Sequence, residues 1–131
     1  MPQVTGAIVL KDGSSTPVDV SYGPETLSSA RAVFVDRRLP SREMQPSIER
    51  TFGSPEKGVR IQYAIGDAVR YPIVRNVGGV DVVVGVAEAT TKYRLPVMMN
   101  EQERKHLRAL MANSQNHAIL KAGPEGLDPL Y

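Results

Sequence analysis

Val80 to Leu120 reads VDVVVGVAEATTKYRLPVMMNEQERKHLRALMANSQNHAIL, and its periodicity changes once. The first part is a long β run, Val80-Asp81-Val82-Val83-Val84-Gly85-Val86 through Tyr93-Arg94-Leu95. From Ala87 onward Ala89, Thr91, Tyr93 and Leu95 alternate with Glu88, Thr90, Lys92 and Arg94, the period of two that gives a strand one packing face and one polar face. Pro96 cannot donate to a ladder and ends the run. Asn100, with Glu103 three residues later, has the spacing of an N-cap with a reciprocal side-chain bond, so a helix is predicted to start near Glu101. Along it Leu107, Leu110, Met111 and Ser114 recur at helical spacing, and Glu103, Arg104, Lys105 and Arg108 take the other side. So narrow an apolar stripe needs a surface to lie on.

Upstream of this stretch the pattern is strand after strand. Val4, Gly6, Ile8 and Leu10 alternate with Thr5, Ala7 and Val9 up to the turn signal Lys11-Asp12-Gly13-Ser14-Ser15, which predicts a hairpin returning through Val18, Val20 and Tyr22 and closed by Gly23-Pro24. Arg31 to Arg38 reads as a third strand with neither side purely apolar. Met44, Ile48 and Phe52 mark a fourth, weakened by Pro46. After the turn-rich Gly53 to Gly58, Val59, Ile61, Tyr63 and Ile65 alternate cleanly with Arg60, Gln62 and Ala64; Gly66-Asp67 is read as a break before Val69, Tyr71 and Ile73, and Asn76-Val77-Gly78-Gly79 as the last connection. Connections this short join neighbouring strands antiparallel, since a parallel pairing needs a crossover of about a dozen residues. Near the C-terminus a short helix is expected around His117 to Lys121, stopped by Gly123-Pro124. The fold class is therefore α+β: an N-terminal β-hairpin, an antiparallel meander sheet and two C-terminal helices.

At 131 residues and 41% hydrophobic, the chain is sized for one domain. Its expected parts are the hairpin over 1–23, the sheet over 30–97, the helices over 100–122 and a tail over 123–131. It has no cysteine, so neither disulfides nor thiolate metal sites brace it. No apolar run approaches the roughly 20 residues that span a bilayer, and no leader pattern opens the chain, so neither membrane nor signal-peptide export is expected. A formal charge of +2 permits an anionic partner without demanding one. His106 and His117 supply the only imidazoles. With no Gly-rich phosphate loop and no metal-ligand spacing among the carboxylates, no catalytic site, metal, cofactor or small-molecule substrate is expected. One helical stripe of about four turns cannot cover some five strands. Either the hairpin folds back over the uncovered face or a second chain does, and periodicity leaves both open.

The layout resembles the coat proteins of single-stranded RNA bacteriophages, the levivirus coat family, over nearly the full chain. The resemblance is carried by the hairpin turning at Asp12-Gly13, the meander, Val77-Gly78-Gly79-Val80-Asp81 before the last strand, and Asn100-Glu101-Gln102-Glu103-Arg104 ahead of the Leu107/Leu110 helix. A terminal Pro129-Leu130-Tyr131 completes it. It implies a homodimer whose helices interlock over the partner's sheet through Leu107, Leu110, Met111, Ile119 and Leu120. It further implies an icosahedral shell of such dimers with a loop at Asn76, Gly78 and Gly79 between them, and packaging of single-stranded viral RNA in a virion assembled in the bacterial cytoplasm. The same inward face in that family can bind an RNA hairpin and repress translation. The matching inward positions are Ser47, Glu49 and Thr51, then Arg60 and Gln62, then Thr90, Lys92 and Arg94. Cations there suit phosphates, and hydroxyl and amide groups suit sugars or bases. The plain alternative for these side chains is a solvated sheet face, and the alternative for the whole chain is a cellular dimeric RNA- or protein-binding module of similar build. Some relatives carry cysteines before the last strand that link dimers; this chain has none.

Overall fold

The structure, a computed structural model, describes residues 6–58 and 61–129. The chain divides into two compact units, Met1–Arg94 and Leu95–Tyr131. The first unit carries a six-stranded sheet in sequence order, β1 (Ile8–Lys11), β2 (Asp19–Leu27), β3 (Arg31–Val35), β4 (Ser47–Gly53), β5 (Gln62–Val77) and β6 (Val80–Pro96), whose last residues enter the second unit. The second carries α1 (Glu101–Asn116) and α2 (Ala118–Gly126).

The β1–β2 hairpin forms where its turn signal predicts, with Lys11 opposite Asp19 and Ile8 opposite Tyr22. Asp12 builds the loop: its carboxylate accepts from the Ser14 hydroxyl at 2.6 Å and from the Ser14 and Val18 amides at 3.2 Å each. Gly23-Pro24 does not close the hairpin, because β2 continues to Leu27 and pairs with β3. The proline is accommodated by a register shift between Pro24 and Thr26 that leaves Glu25 outside the pairing. Glu25 then accepts from Arg42 at 2.5 Å, and Arg37 donates to the Pro24 carbonyl at 2.9 Å. These bonds tie the connection after β3 back onto β2.

That connection is shorter in strand than its sequence suggests. Met44, expected in the fourth strand, lies in a 3₁₀ turn, Arg42–Met44, since Pro46 holds Gln45 extended and cannot itself join the ladder; pairing starts at Ser47. Asp36, 2% exposed, anchors the start of the connection. Its carboxylate takes a fork of bonds from Arg38 (2.7 to 3.0 Å) and one from the Arg38 amide. The Arg38 hydrogen bonds hold this carboxyl below its ordinary range against the opposing effect of burial. A depressed folded-state pKa stabilises fully above the unfolded carboxyl's range and is lost as pH falls through the folded value. Melting should therefore become acid-sensitive below about pH 4. Asp36→Asn should remove about 1.5–3 kcal/mol at neutral pH and flatten that acid limb. An unchanged limb in the variant would assign it to other carboxyls.

The core of the first unit is small: Val20, Val33, Phe34 and Val35 are its buried hydrophobics among the described residues. Val33, Phe34 and Val35 are consecutive and buried, so both sides of β3 are covered there, and alternation alone could not orient the strand. Gly66-Asp67 is not a break; β5 runs through it. Gly66 lies opposite Thr51, where a Cβ would stand 2.8 Å from the threonine hydroxyl, and Asp67 lies opposite Arg50 and pairs with it. Residue types that ordinarily mark a turn are used here for close strand contact and a cross-strand ion pair.

In the second unit the predicted capping box is present. The Asn100 side chain accepts from the Glu103 amide at 2.8 Å, and the Glu103 carboxylate accepts from the Asn100 amide at 3.0 Å. His117 ends α1 and caps α2, its Nδ1 accepting from the Ile119 amide at 3.2 Å. Gly123-Pro124 does not stop α2, which continues to Gly126 and ends at Leu127 in the left-handed region (φ 54°). Pro124 lies close enough to the C-terminal end to remove one helical bond without breaking the rest.

Candidate nucleic-acid interface

Register sorts the candidate residues onto faces. Ser47, Glu49 and Thr51 of β4 oppose Arg70, Ala68 and Gly66 of β5, and Val35, Val33 and Arg31 of β3. Directly opposed residues share a face. Alternation along β5 adds Gln62 and Ala64 to the same side. The other face carries Ala32, Phe34, Ile48 and Phe52, with Ile65, Val69 and the Arg50–Asp67 ion pair. Phe52 and Tyr63 form a tilted aromatic pair there, with ring centroids 6.2 Å apart. One side of the sheet is thus aromatic and aliphatic; the opposite side is polar around Arg31, Glu49, Thr51 and Arg70, with small residues along β5 and a covered patch at Val33, Val35 and Ser47.

Lys92 and Arg94 alternate with half-buried Tyr93 and buried Leu95, and both are exposed, as is Thr90. Arg50's guanidinium, on the opposite face from Glu49, is pushed up first by its hydrogen bond to Asp67. Alternation puts Thr90, Lys92 and Arg94 together on one side of β6, with Tyr93 and Leu95 on the other. Neither cation makes an ion pair among the described residues. Ser47 is 6% exposed and offers a ligand little surface. Arg60 lies outside the described residues.

Two further cations lie on the face of Glu49 and Thr51. Arg31 faces Thr51 across β3–β4 and Arg70 faces Ser47 across β4–β5. Arg31 could not be assigned to a face from its strand alone, because neither side of that strand is purely apolar. Arg70 follows the supposed Gly66-Asp67 break, beyond which parity could not be carried; a strand continued through the glycine would have placed it two steps from Ala68.

The loop candidates form a tight turn. Gly78 (φ 61°) and Gly79 (φ 87°) join β5 to β6 as a two-residue turn with both φ positive. Asn76 braces it, accepting from the Gly79 amide at 3.2 Å and donating to Asp81 at 3.1 Å. On the helices Leu107 and Met111 are half-buried, while Leu110 (55%), Ile119 (59%) and Leu120 (46%) are open. Leu107 and Leu110 line an open groove on α1 with Met99, Gln102, Glu103 and His106. Among the described residues no cluster of histidines and carboxylates has the arrangement of a metal site, and no helix is long and apolar enough to cross a membrane.

No protein-family sequence model matches the chain, and no curated protein matches it by sequence. Solved structures do match in fold. The virus-like particle of bacteriophage ESE058 superposes with a TM-score of 0.83 at 21% identity, covering 99% of this chain and 100% of that one. The virus-like particle of Beihai levi-like virus 21 gives 0.84 at 21% identity, covering 98% of each. The bacteriophage GA capsid protein gives 0.70 at 15% identity, covering 97% of this chain and 98% of its own. The six-stranded sheet followed by two helices is the levivirus coat fold.

Proposed function

We propose that this chain is a phage coat protein that dimerises, assembles into an icosahedral shell as a virion component and packages single-stranded RNA against the polar face of its sheet. The observation that carries the reading is the pairing of that fold with apolar surface the chain leaves open on its helices. Leu110, Ile119 and Leu120 are exposed aliphatics on α1 and α2, and such a patch marks an interaction site. A second copy, laying its helices over the partner's sheet, supplies the cover. Leu107, Leu110, Met111, Ile119 and Leu120 are the residues of that interface. The structural role needs no turnover and no cofactor.

Thr51, Gln62, Thr90, Lys92 and Arg94 form the RNA-facing surface in this reading, with Arg60 as a further candidate cation and Arg31 and Arg70 added by register. Ser47 supports the strand from beneath, and Glu49 tempers the charge. Each cation that neutralises a phosphate contributes to the salt dependence of binding. Disassembled dimer carrying Lys92→Gln/Arg94→Gln should therefore bind single-stranded RNA with a slope of log affinity against log salt shallower by roughly 0.7 for each contact removed. An unchanged slope in a folded double variant would leave these side chains as solvated surface. Repression of translation through an RNA hairpin belongs to the same face and is tested by competition between a structured hairpin and an unstructured strand.

Asn76, Gly78 and Gly79 are the contact between dimers. Valine at either glycine meets open space but must adopt a left-handed backbone, at a cost of about 1–2 kcal/mol per residue. Gly78→Val/Gly79→Val should leave a folded dimer and yield irregular particles by electron microscopy. Uniform particles from this variant would remove the turn from shell closure.

A further inference from the structure

Glu49 sits among the cations of the polar sheet face and takes one of them. Arg31 and Glu49 lie diagonally across the β3–β4 ladder, since Arg31 opposes Thr51 and Val33 opposes Glu49. The Arg31 Nε reaches the Glu49 Oε1 at 2.5 Å. The guanidinium side chain is 55% exposed and the carboxylate 33%, so the pair is open to a ligand arriving from solvent. Arg31 is pushed up by this bond and by the charge of Glu49, the response of a cation already given its anion. Arg70, opposite Ser47 on the same face, has no such partner among the described residues, and neither do Lys92 and Arg94.

A carboxylate oxygen and a phosphate oxygen present the same acceptor to a guanidinium. An ion pair this exposed is held weakly and can be exchanged. We infer that Glu49 is an internal competitor of RNA phosphate, occupying Arg31 so that the polar face engages single strands through one cation fewer than it carries. This rests on the RNA-facing reading of that surface and adds to it a residue that restrains binding. Restraint of this kind suppresses indiscriminate attachment to any polyanion and leaves the unpaired cations to set basal affinity.

The test uses disassembled dimer and oligouridylate, titrated at several salt concentrations, with melting curves for every variant. Glu49→Gln keeps the side chain's shape and removes its charge. It should bind more tightly at low salt, with a slope of log affinity against log salt steeper by roughly 0.7, one single-strand phosphate contact. Arg31→Gln in the Glu49→Gln background should return the slope to the wild-type value, whereas Arg31→Gln alone should change it little. That dependence on Arg31 separates competition from a general loss of negative charge, which would raise affinity with or without the arginine. Glu49→Thr repeats the measurement with a strand-favouring residue should glutamine loosen β4. A wild-type slope in both Glu49 variants, or a gain that survives removal of Arg31, overturns the competitor role and leaves the RNA-facing reading standing. Wild-type dimer that shows no salt-dependent binding at all overturns both.

Discussion

Phe34→Ala is expected to cost about 3–5 kcal/mol, the range for truncating a buried phenylalanine. Phe34 is 4% exposed and opposes Ile48 on β4 and Pro24 on β2, so its ring is gripped from both neighbouring strands. The first unit has few buried hydrophobics besides it, and the loss is large against a total stability of about 5–15 kcal/mol. Denaturant titration of the variant should show a lower midpoint with an unchanged slope, because the native fold is weakened and the surface exposed on unfolding is the same. A shift of less than about 1 kcal/mol would mean that the site collapses around the missing ring and that the sheet's core lies elsewhere.

The second large effect is invisible in a single chain. Leu110 is 55% exposed, so a folded monomer would lose a few tenths of a kcal/mol on Leu110→Ala, the scale of ordinary surface substitutions. If a partner's sheet buries this leucine, the loss becomes about 2–5 kcal/mol, and it appears as melting that depends on protein concentration. The contrast between those two magnitudes is what makes the substitution informative. Dilution over about a hundredfold should lower the melting temperature of wild type and lower that of Leu110→Ala further. A variant that melts at one temperature across the same range is a folded monomer, and the exposed stripe would then need another explanation.

The parts of this fold that were legible in the sequence are those fixed by local chemistry. Asn100 and Glu103 place the start of α1 because their side chains satisfy backbone groups within one turn. Gly78-Gly79 places the β5–β6 turn because both residues take positive φ. What was not legible was set across strands. Pro24 looks like an end until the register shift beside it is seen, and Gly66-Asp67 looks like a turn until Thr51 and Arg50 are placed opposite. The same limit hid part of the candidate site. Lys92 and Arg94 follow from alternation along one strand, whereas Arg31 and Arg70 are set beside Thr51 and Ser47 only by the ladders on either side of β4. Pro124 inside α2 shows the converse: a residue that disfavours a helix by propensity is tolerated within three residues of its end.

Sedimentation and electron microscopy of the expressed protein test the central claim most directly. A coat protein of this fold should pellet at high speed as closed, uniform particles that contain RNA, and nuclease-protected nucleic acid should co-purify with them. A protein that stays a small dimer under every condition in which it is folded, with no particles and no protected RNA, would contradict the account and make the chain a binding module that shares the coat fold.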